Sequence, residues 1–406
     1  MRLVLICNEA PFPATHGGRV DVWRRLCAMR AAGAEVFLVF WSGDRVDELP
    51  NTMALSRMHL EVSHLEYFII KRTIYARLQR LVCLLRWPSH VASRVLSKKD
   101  EELLLTSITE FKPDAVWLDS IYGGVIADTL VNKLNVPLFC RSHNIEHLYM
   151  AKQVKKANTL RDKFVWSLNL LHLRKFEFAL FKKSTRYFDI SKDDLEFWKK
   201  SGFTNGEWLP PMIDETFSTA LSAPQLHEPE YDVGYLGNLF SPNNVDGILW
   251  FLSDVVPKLR MEKPNIKIFI AGSKPIDLLK QKITDARIQL ISNPDDVVPI
   301  LRNARVLINP VFAGSGVNIK TVEMLFCPAD IISTSQGLAG LPTVVRQHFR
   351  CADTADGFSK NILDALHSTP LENLLDRSNA RALFSYGMAQ GLIRTIHKLS
   401  KFHVEN

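Results

Sequence analysis

The chain has 406 residues, 47% of them hydrophobic and 23% charged, a balance that excludes a mainly disordered protein. That length exceeds what one hydrophobic core supports and points to two or three domains. Lysine and arginine number 50 against 43 aspartate and glutamate, and the excess sits in the first half: residues 1–208 carry 31 basic and 23 acidic residues, residues 209–406 carry 19 and 20.

In chain order, Arg2–Cys7 reads as a buried strand, followed by a loop with Pro11, Pro13, Gly17 and Gly18. Val20 to Ala32 carries Val22, Leu26 and Met29 at helical spacing, Gly33 stops it, and Glu35–Trp41 is the next strand. Asp114–Leu118 and Pro137–Cys140 are further short apolar runs, so the pattern implies a parallel sheet with right-handed crossovers. Two basic segments interrupt it. Residues 71–99 hold eight basic residues and no acid among Ile74, Leu78, Leu81, Leu85 and Trp87. Residues 152–186 hold ten basic residues against Asp162 and Glu177. Both read as amphipathic helices, suited to an anionic membrane surface or to a merely solvated face.

A second α/β unit follows Pro210 and Pro211, with strands at Tyr231–Tyr235, Ile266–Ala271, Ile288–Ile291, Val306–Asn309 and Asp330–Ser333. Helices are expected at Val245–Arg260, Val297–Asn303 and Ile319–Phe326. No apolar run approaches the ~20 residues of a membrane span, and Leu3–Cys7 is too short for a signal-peptide core. The six cysteines form no C-x-x-C pair, which argues against zinc, and the length of the chain argues against a disulfide framework. A soluble, cytoplasmic protein is expected, with peripheral attachment to the inner face of the membrane.

The strongest local signal is Ala313-Gly-Ser-Gly-Val-Asn-Ile-Lys-Thr-Val-Glu323, between a strand and a helix. Its glycines let backbone N–H groups approach an anion, and a helix start favours negative charge. Ser315, Gly316, Val317 and Asn318 form the loop, Lys320 adds a full positive charge, and Glu323 can accept hydrogen bonds from vicinal hydroxyls. Judged alone, an ordinary tight turn reads as well. Gly237 and Asn238, after the strand at 231, would face the same crevice at the carboxyl ends of a parallel sheet. In the first half, His16, Gly17, Gly18 and Arg19 could form an anion nest, and His143 and Asn144 follow a strand end. The Walker A, G-x-G-x-x-G and G-x-S-x-G spacings are absent, and so is an Asp-x-Asp pair that would hold a divalent metal.

With these residues in view, the chain resembles retaining family 4 glycosyltransferases of the polysaccharide and lipopolysaccharide type. The resemblance rests on the early Pro-rich loop with its Gly-Gly pair, here Pro11 to Arg19, on Arg141 to Glu146, on Gly234 to Asn244, on Gly314 to Glu323 and on Phe384-Ser-Tyr386. It implies a GT-B fold, two Rossmann-like domains facing a cleft, at 1–208 and 209–389, with a last helix at 390–406 crossing back to the first domain. It implies transfer of a sugar, with retention and without metal or other cofactor, from a nucleotide diphosphate sugar to a glycan or lipid-linked acceptor. The donor site falls on Gly237, Asn238, Ser315, Gly316, Val317, Asn318, Lys320 and Glu323, and the acceptor site on His16, Gly17, Gly18, Arg19 and Asn144. His143, Glu323 and Lys320 are the catalytic candidates. Two departures stand out: Ser315 occupies the place of the family's first Glu, and Asn238 and Asn243 stand where an Arg and a Lys clamp the diphosphate. Lys320 is the expected replacement. The rival readings are a sugar-nucleotide epimerase, an inactive glycosyltransferase-like binding subunit and, on the basic half alone, a nucleic-acid binder; no nucleic-acid motif accompanies that charge.

Overall fold

The computed structural model describes all residues except 158, 225–226, 369–375 and 406. The chain divides into two compact units: unit 1 comprises Met1–Met212 with Tyr386–Asn406, and unit 2 comprises Ile213–Ser385. The first break falls after Met212 rather than after Trp208, because Leu209 and Met212 lie in a core cluster of unit 1. The second falls before Tyr386, because Tyr386, Met388 and Ala389 pack in the same cluster.

Unit 1 is built on β1 (Arg2–Cys7), β2 (Glu35–Gly43), β3 (His64–Ile70), β4 (Ala115–Asp119), β5 (Leu138–Ser142), β6 (Arg186–Asp189) and β7 (Gly206–Trp208). They form one sheet in the order β3-β2-β1-β4-β5-β6-β7, every pairing parallel. Strands β4 and β5 are buried along their whole length, as expected when helices cover both faces of a parallel sheet. The helix Gly17–Ala31 turns Val22, Leu26 and Met29 to one face. The last helix, Gly387–Glu405, brings Ala389, Leu392, Ile393 and Ile396 to the same core, a spacing of three and four residues that lines one helical stripe.

Unit 2 holds β8 (Tyr231–Leu236), β9 (Ile268–Gly272), β10 (Gln289–Ser292), β11 (Ala304–Asn309), β12 (Asp330–Ser333) and β13 (Arg350–Cys351). Their order is β10-β9-β8-β11-β12-β13, again all parallel. In each sheet the strand order reverses once, between β1 and β4 and between β8 and β11. Open parallel sheets bind ligands at the carboxyl ends of strands beside such a reversal.

The expected helix at Val245–Arg260 is in fact two, Pro242–Trp250 and Val256–Glu262, joined by a π-helical turn over Phe251–Val255. Pro257 has no N–H for the carbonyl four residues back, which favours that looser turn. The helix expected at Ile319–Phe326 stops at Met324.

Candidate functional site

In unit 2, the loops after β8 and β11 carry the expected donor-site residues. Lys320 lies in the first turn of the short helix Ile319–Met324. Its Nζ donates to Tyr235 Oη at 2.9 Å and to Asn244 Oδ1 at 3.0 Å, and it stands 4.4 Å from the centre of the Tyr235 ring. Part of the residue meets solvent, but its ammonium end lies inside, and burial pushes its pKa down to about 7. Both of these partners are neutral, and no carboxylate pairs with Lys320 among the described residues. An interior cation with neutral partners is electrostatically incomplete and favours an incoming anion.

Asn244 connects this cation to the first loop. Its Nδ2 donates to the carbonyl and to Oδ1 of Asn238, each at 3.0 Å, and Asn238 Oδ1 also accepts from Ser241 N at 3.1 Å. The side-chain oxygen of Asn238 is therefore spent on shaping its own turn, and Asn244 rather than Asn243 meets Lys320. Gly237 donates to Ala271 O at 3.1 Å, and a side chain there would crowd the Tyr235 hydroxyl.

Ser315, Gly316, Val317 and Asn318 form the partly exposed approach to Lys320. Gly316 takes φ of 65°, a left-handed backbone that favours glycine. Thr321 fixes the helix: its Oγ1 accepts from Asn309 Nδ2 at 2.7 Å and donates to Gly337 O at 2.9 Å. Glu323 follows Lys320 by three residues, on the same side of the helix. At six residues this helix is short for a large macrodipole, so the charge at the site rests chiefly on Lys320.

In unit 1, the glycines expected to form a nest instead open a helix. Gly17, Gly18 and Arg19 are its first residues, with His16 as the extended residue before it. Arg19 Nη2 and Nε donate to Glu9 Oε2 at 2.6 and 2.9 Å, and His16 Nε2 lies 3.2 Å from Glu9 Oε1. Burial alone would raise the Glu9 carboxyl, but His16 and Arg19 prevail and lower it to about 2. Arg19 is thus occupied by Glu9.

His143 sits just beyond the end of β5. Its Nε2 lies 2.6 Å from Asp119 Oδ1, and its Nδ1 lies 3.6 Å from Asp21 Oδ2. Both ring nitrogens therefore face buried carboxylates. Asp119 ends β4 and also accepts from Trp117 Nε1 at 3.2 Å and from Arg25. Arg25 Nη1 donates to Asp21 Oδ2 at 2.5 Å, and Arg141 Nη2 donates to the same oxygen at 3.1 Å. Two arginines thus balance two aspartates beneath the imidazole. Burial works against the charged form of Asp119, yet Arg25 and His143 hold it well below the usual carboxylate range.

Asn144 reaches Glu146 Oε1 at 3.5 Å, and Tyr122 Oη donates to Glu146 Oε2 at 2.8 Å. Burial raises the Glu146 carboxyl to about 7. Glu177 accepts from the backbone N–H of Glu146 at 2.9 Å and of His147 at 3.3 Å, fixing the start of the helix Glu146–Lys156.

The sequence reading missed Tyr235, Asn244, Glu9, Asp21, Arg25, Asp119 and Tyr122. Asp119 left a trace, a carboxylate closing the apolar run Ala115–Leu118. Asp21 and Arg25 left another, an opposite-charge pair four residues apart on a helix.

Residues 230–368 match the family described as Glycosyl transferases group 1. A Klebsiella pneumoniae protein, described as an uncharacterized 44.6 kDa protein in cps region, is 26% identical over 380 residues, covering 89% of this chain and 90% of its own. The crystal structure of Anabaena Alr3699/HepE in complex with UDP is similar with a TM-score of 0.63 at 12% identity, covering 97% of this chain and 99% of that one. The crystal structure of WaaG, a glycosyltransferase involved in lipopolysaccharide biosynthesis, is similar with a TM-score of 0.58 at 15% identity, covering 98% and 97%. At such identities the structural likeness establishes the fold. The chain therefore has the GT-B type of fold, and its residues 230–368 are similar to the glycosyl transferases group 1 family.

Proposed function

We propose that this chain is a retaining, metal-independent glycosyltransferase. In this reading it moves a sugar from a nucleotide diphosphate sugar to a glycan or lipid-linked acceptor in surface polysaccharide synthesis. The observation that carries the reading is Lys320, an interior ammonium held by Tyr235 and Asn244 at the strand reversal of unit 2. A diphosphate oxygen would supply the negative charge that its neutral partners lack.

Lys320 would stabilise the charge that grows on the leaving diphosphate as the glycosidic bond breaks, the task for which preorganised cations and N–H groups are most effective. Glu323 would bind donor hydroxyls. In unit 1, His143, oriented by Asp119, and Asn144, beside Glu146, would contact sugar or phosphate groups on the acceptor side. The UDP in the Anabaena structure, the lipopolysaccharide role of WaaG and the cps region of the Klebsiella relative support the choice of donor and pathway type.

A thermal-shift series with UDP-, GDP- and ADP-sugars, followed by assay of released nucleotide in EDTA, tests the reading. A ligand that binds the native state raises its apparent stability by mass action. If no nucleotide sugar raises Tm and none is consumed, the reading fails. Stabilisation without consumption would favour a binding subunit, and isomerised sugar without transfer would favour an epimerase.

A further inference from the structure

The two basic segments meet on unit 1. The helix Ile74–Cys83 is well formed, its start held by Thr73 Oγ1 accepting from Ala76 N at 3.3 Å, yet none of its residues is buried. Ile74, Tyr75, Leu78, Leu81 and Val82 stand exposed, and Leu85 just beyond the helix is 81% exposed. The helix Leu160–Leu170 likewise buries none of its residues, with Leu160, Phe164 and Val165 exposed. Both helices pack on the short helix Ser89–Ala92. Trp87 adds a bridge, its ring 5.6 Å from that of Phe176 on the helix Leu173–Lys183. Segments far apart in sequence thus share one neighbourhood.

A helix that only borders water turns its polar side outward. Here large apolar side chains do so on two helices that pack on the same short helix, the mark of an interaction surface. Charge indicates the partner. No acidic residue occurs from 71 to 99, and from 147 to 176 Asp162 is the single one. Arg77, Lys155 and Lys156 form no ion pair among the described residues. Arg86 lies 4.8 Å over the Trp87 ring, an arrangement suited to an interface. Arg94 of the same segment faces inward, where Nη2 donates to Asn8 O at 3.0 Å, and does not belong to the surface. No helix among the described residues is long and apolar enough to cross a membrane.

We propose that the helices Ile74–Cys83 and Leu160–Leu170 form a single docking surface for an anionic phospholipid bilayer. The apolar side chains enter the boundary between headgroups and acyl chains, while the free arginines and lysines meet lipid phosphates. The proposal does not depend on which nucleotide sugar the chain uses. It adds to the transfer reading a place where a lipid-linked acceptor would be met.

Vesicle flotation tests it with the full-length protein, comparing phosphatidylglycerol mixed with phosphatidylethanolamine against phosphatidylcholine alone. Binding is expected to the anionic vesicles and to fall as the Debye length shrinks from ~10 Å at ~0.1 M salt to ~3 Å at ~1 M. Three variants should each lower it about tenfold or more: Leu78→Ser with Leu81→Ser and Leu85→Ser; Phe164→Ser with Val165→Ser; and Arg77→Glu with Arg86→Glu. All these positions lie outside the core, so unchanged Tm and circular dichroism are expected. Absence of binding at low salt, or equal binding to both lipids, overturns the proposal. So does binding that the Phe164 and Val165 changes leave intact, because the surface would then not be single. Self-association abolished by the same variants, without vesicle binding, assigns the face to a protein contact and also overturns it. UDP-sugar binding in the same preparation separates failure here from failure of the donor reading.

Discussion

The ammonium of Lys320 and the side-chain oxygen of Asn244 lie 3.0 Å apart, although they belong to segments that follow different strands, β11 and β8. Asn244 spends its amide hydrogens on Asn238, so one side chain connects the cation to the shape of the first loop.

Replacing Lys320 by Ala should lower donor turnover by at least ~10²-fold, the usual scale when one charge-stabilising group is lost from a transition state. Glu323→Gln should have an effect of similar size. Asn244→Ala should weaken donor binding as well, by freeing both Lys320 and the Asn238 turn. Steady-state assay of nucleotide release measures all three, and wild-type turnover in Lys320→Ala would remove it from the donor site.

Donor affinity should depend on pH through the same residue. With Lys320 displaced to about 7 in the free protein, rising pH removes its proton and with it the attraction for a diphosphate. UDP-glucose suits the measurement because its diphosphate diester carries no group that titrates nearby. Calorimetry should show weaker binding from about pH 6 to about pH 9, and Lys320→Met should show weak binding with little slope. An equal slope in the methionine variant would place the titration elsewhere.

Asp119 should matter for folding as well as for orienting His143. Asp119→Asn keeps the shape but leaves Arg25 and Arg141 with one buried carboxylate in place of two. Breaking such a buried ion network costs about 3–5 kcal/mol. Urea unfolding measures the loss, and a change below about 1 kcal/mol would mean that water or a rearranged partner replaces the charge.

Unit 1 should become less stable as pH rises across the neutral range. Burial raises Glu146 to about 7, Asp189 to about 8 and Asp194 to about 6. From about pH 4 to about pH 8 the unfolded chain has released protons that the folded unit retains, so folding is progressively disfavoured. Glu9 acts in the opposite sense: lowered to about 2, it stabilises the fold above about pH 4.5 and loses that effect as pH falls toward 2. Calorimetric scans should show a falling transition temperature for unit 1 from about pH 5 to about pH 8, flattened in Glu146→Gln with Asp189→Asn.

The buried strands were legible in the sequence because apolar runs such as Arg2–Cys7 and Asp330–Ser333 need only local pattern. β3 escaped because it is an edge strand with alternating exposure, and β6, β7 and β13 because they are too short to carry a period. The Gly-rich loop and Lys320 were legible as chemistry. Their partners were not: Tyr235 and Asn244 lie 85 and 76 residues away from Lys320, and only the parallel order of the strands brings them together. The helical start at Gly17–Gly18 was hidden for a different reason. Glycine pairs suggest a turn, whereas here the helix face carrying Asp21, Val22, Arg25 and Leu26 fixes the first turn as helical.

Because the last helix completes the core of unit 1, the order of synthesis differs from the order of assembly. A ribosome that has released residues up to Ser385 has delivered all of unit 2, yet unit 1 still lacks Ala389, Leu392, Ile393 and Ile396. Unit 1 must wait with an apolar groove open along the helix Gly17–Ala31 while the second half of the chain is made. Nascent chains stalled before Gly387 should therefore be cut by protease in unit 1 sooner than in unit 2, and chains stalled after release of the final helix should lose that difference. Chaperone demand and sensitivity to C-terminal truncation follow from this one connection.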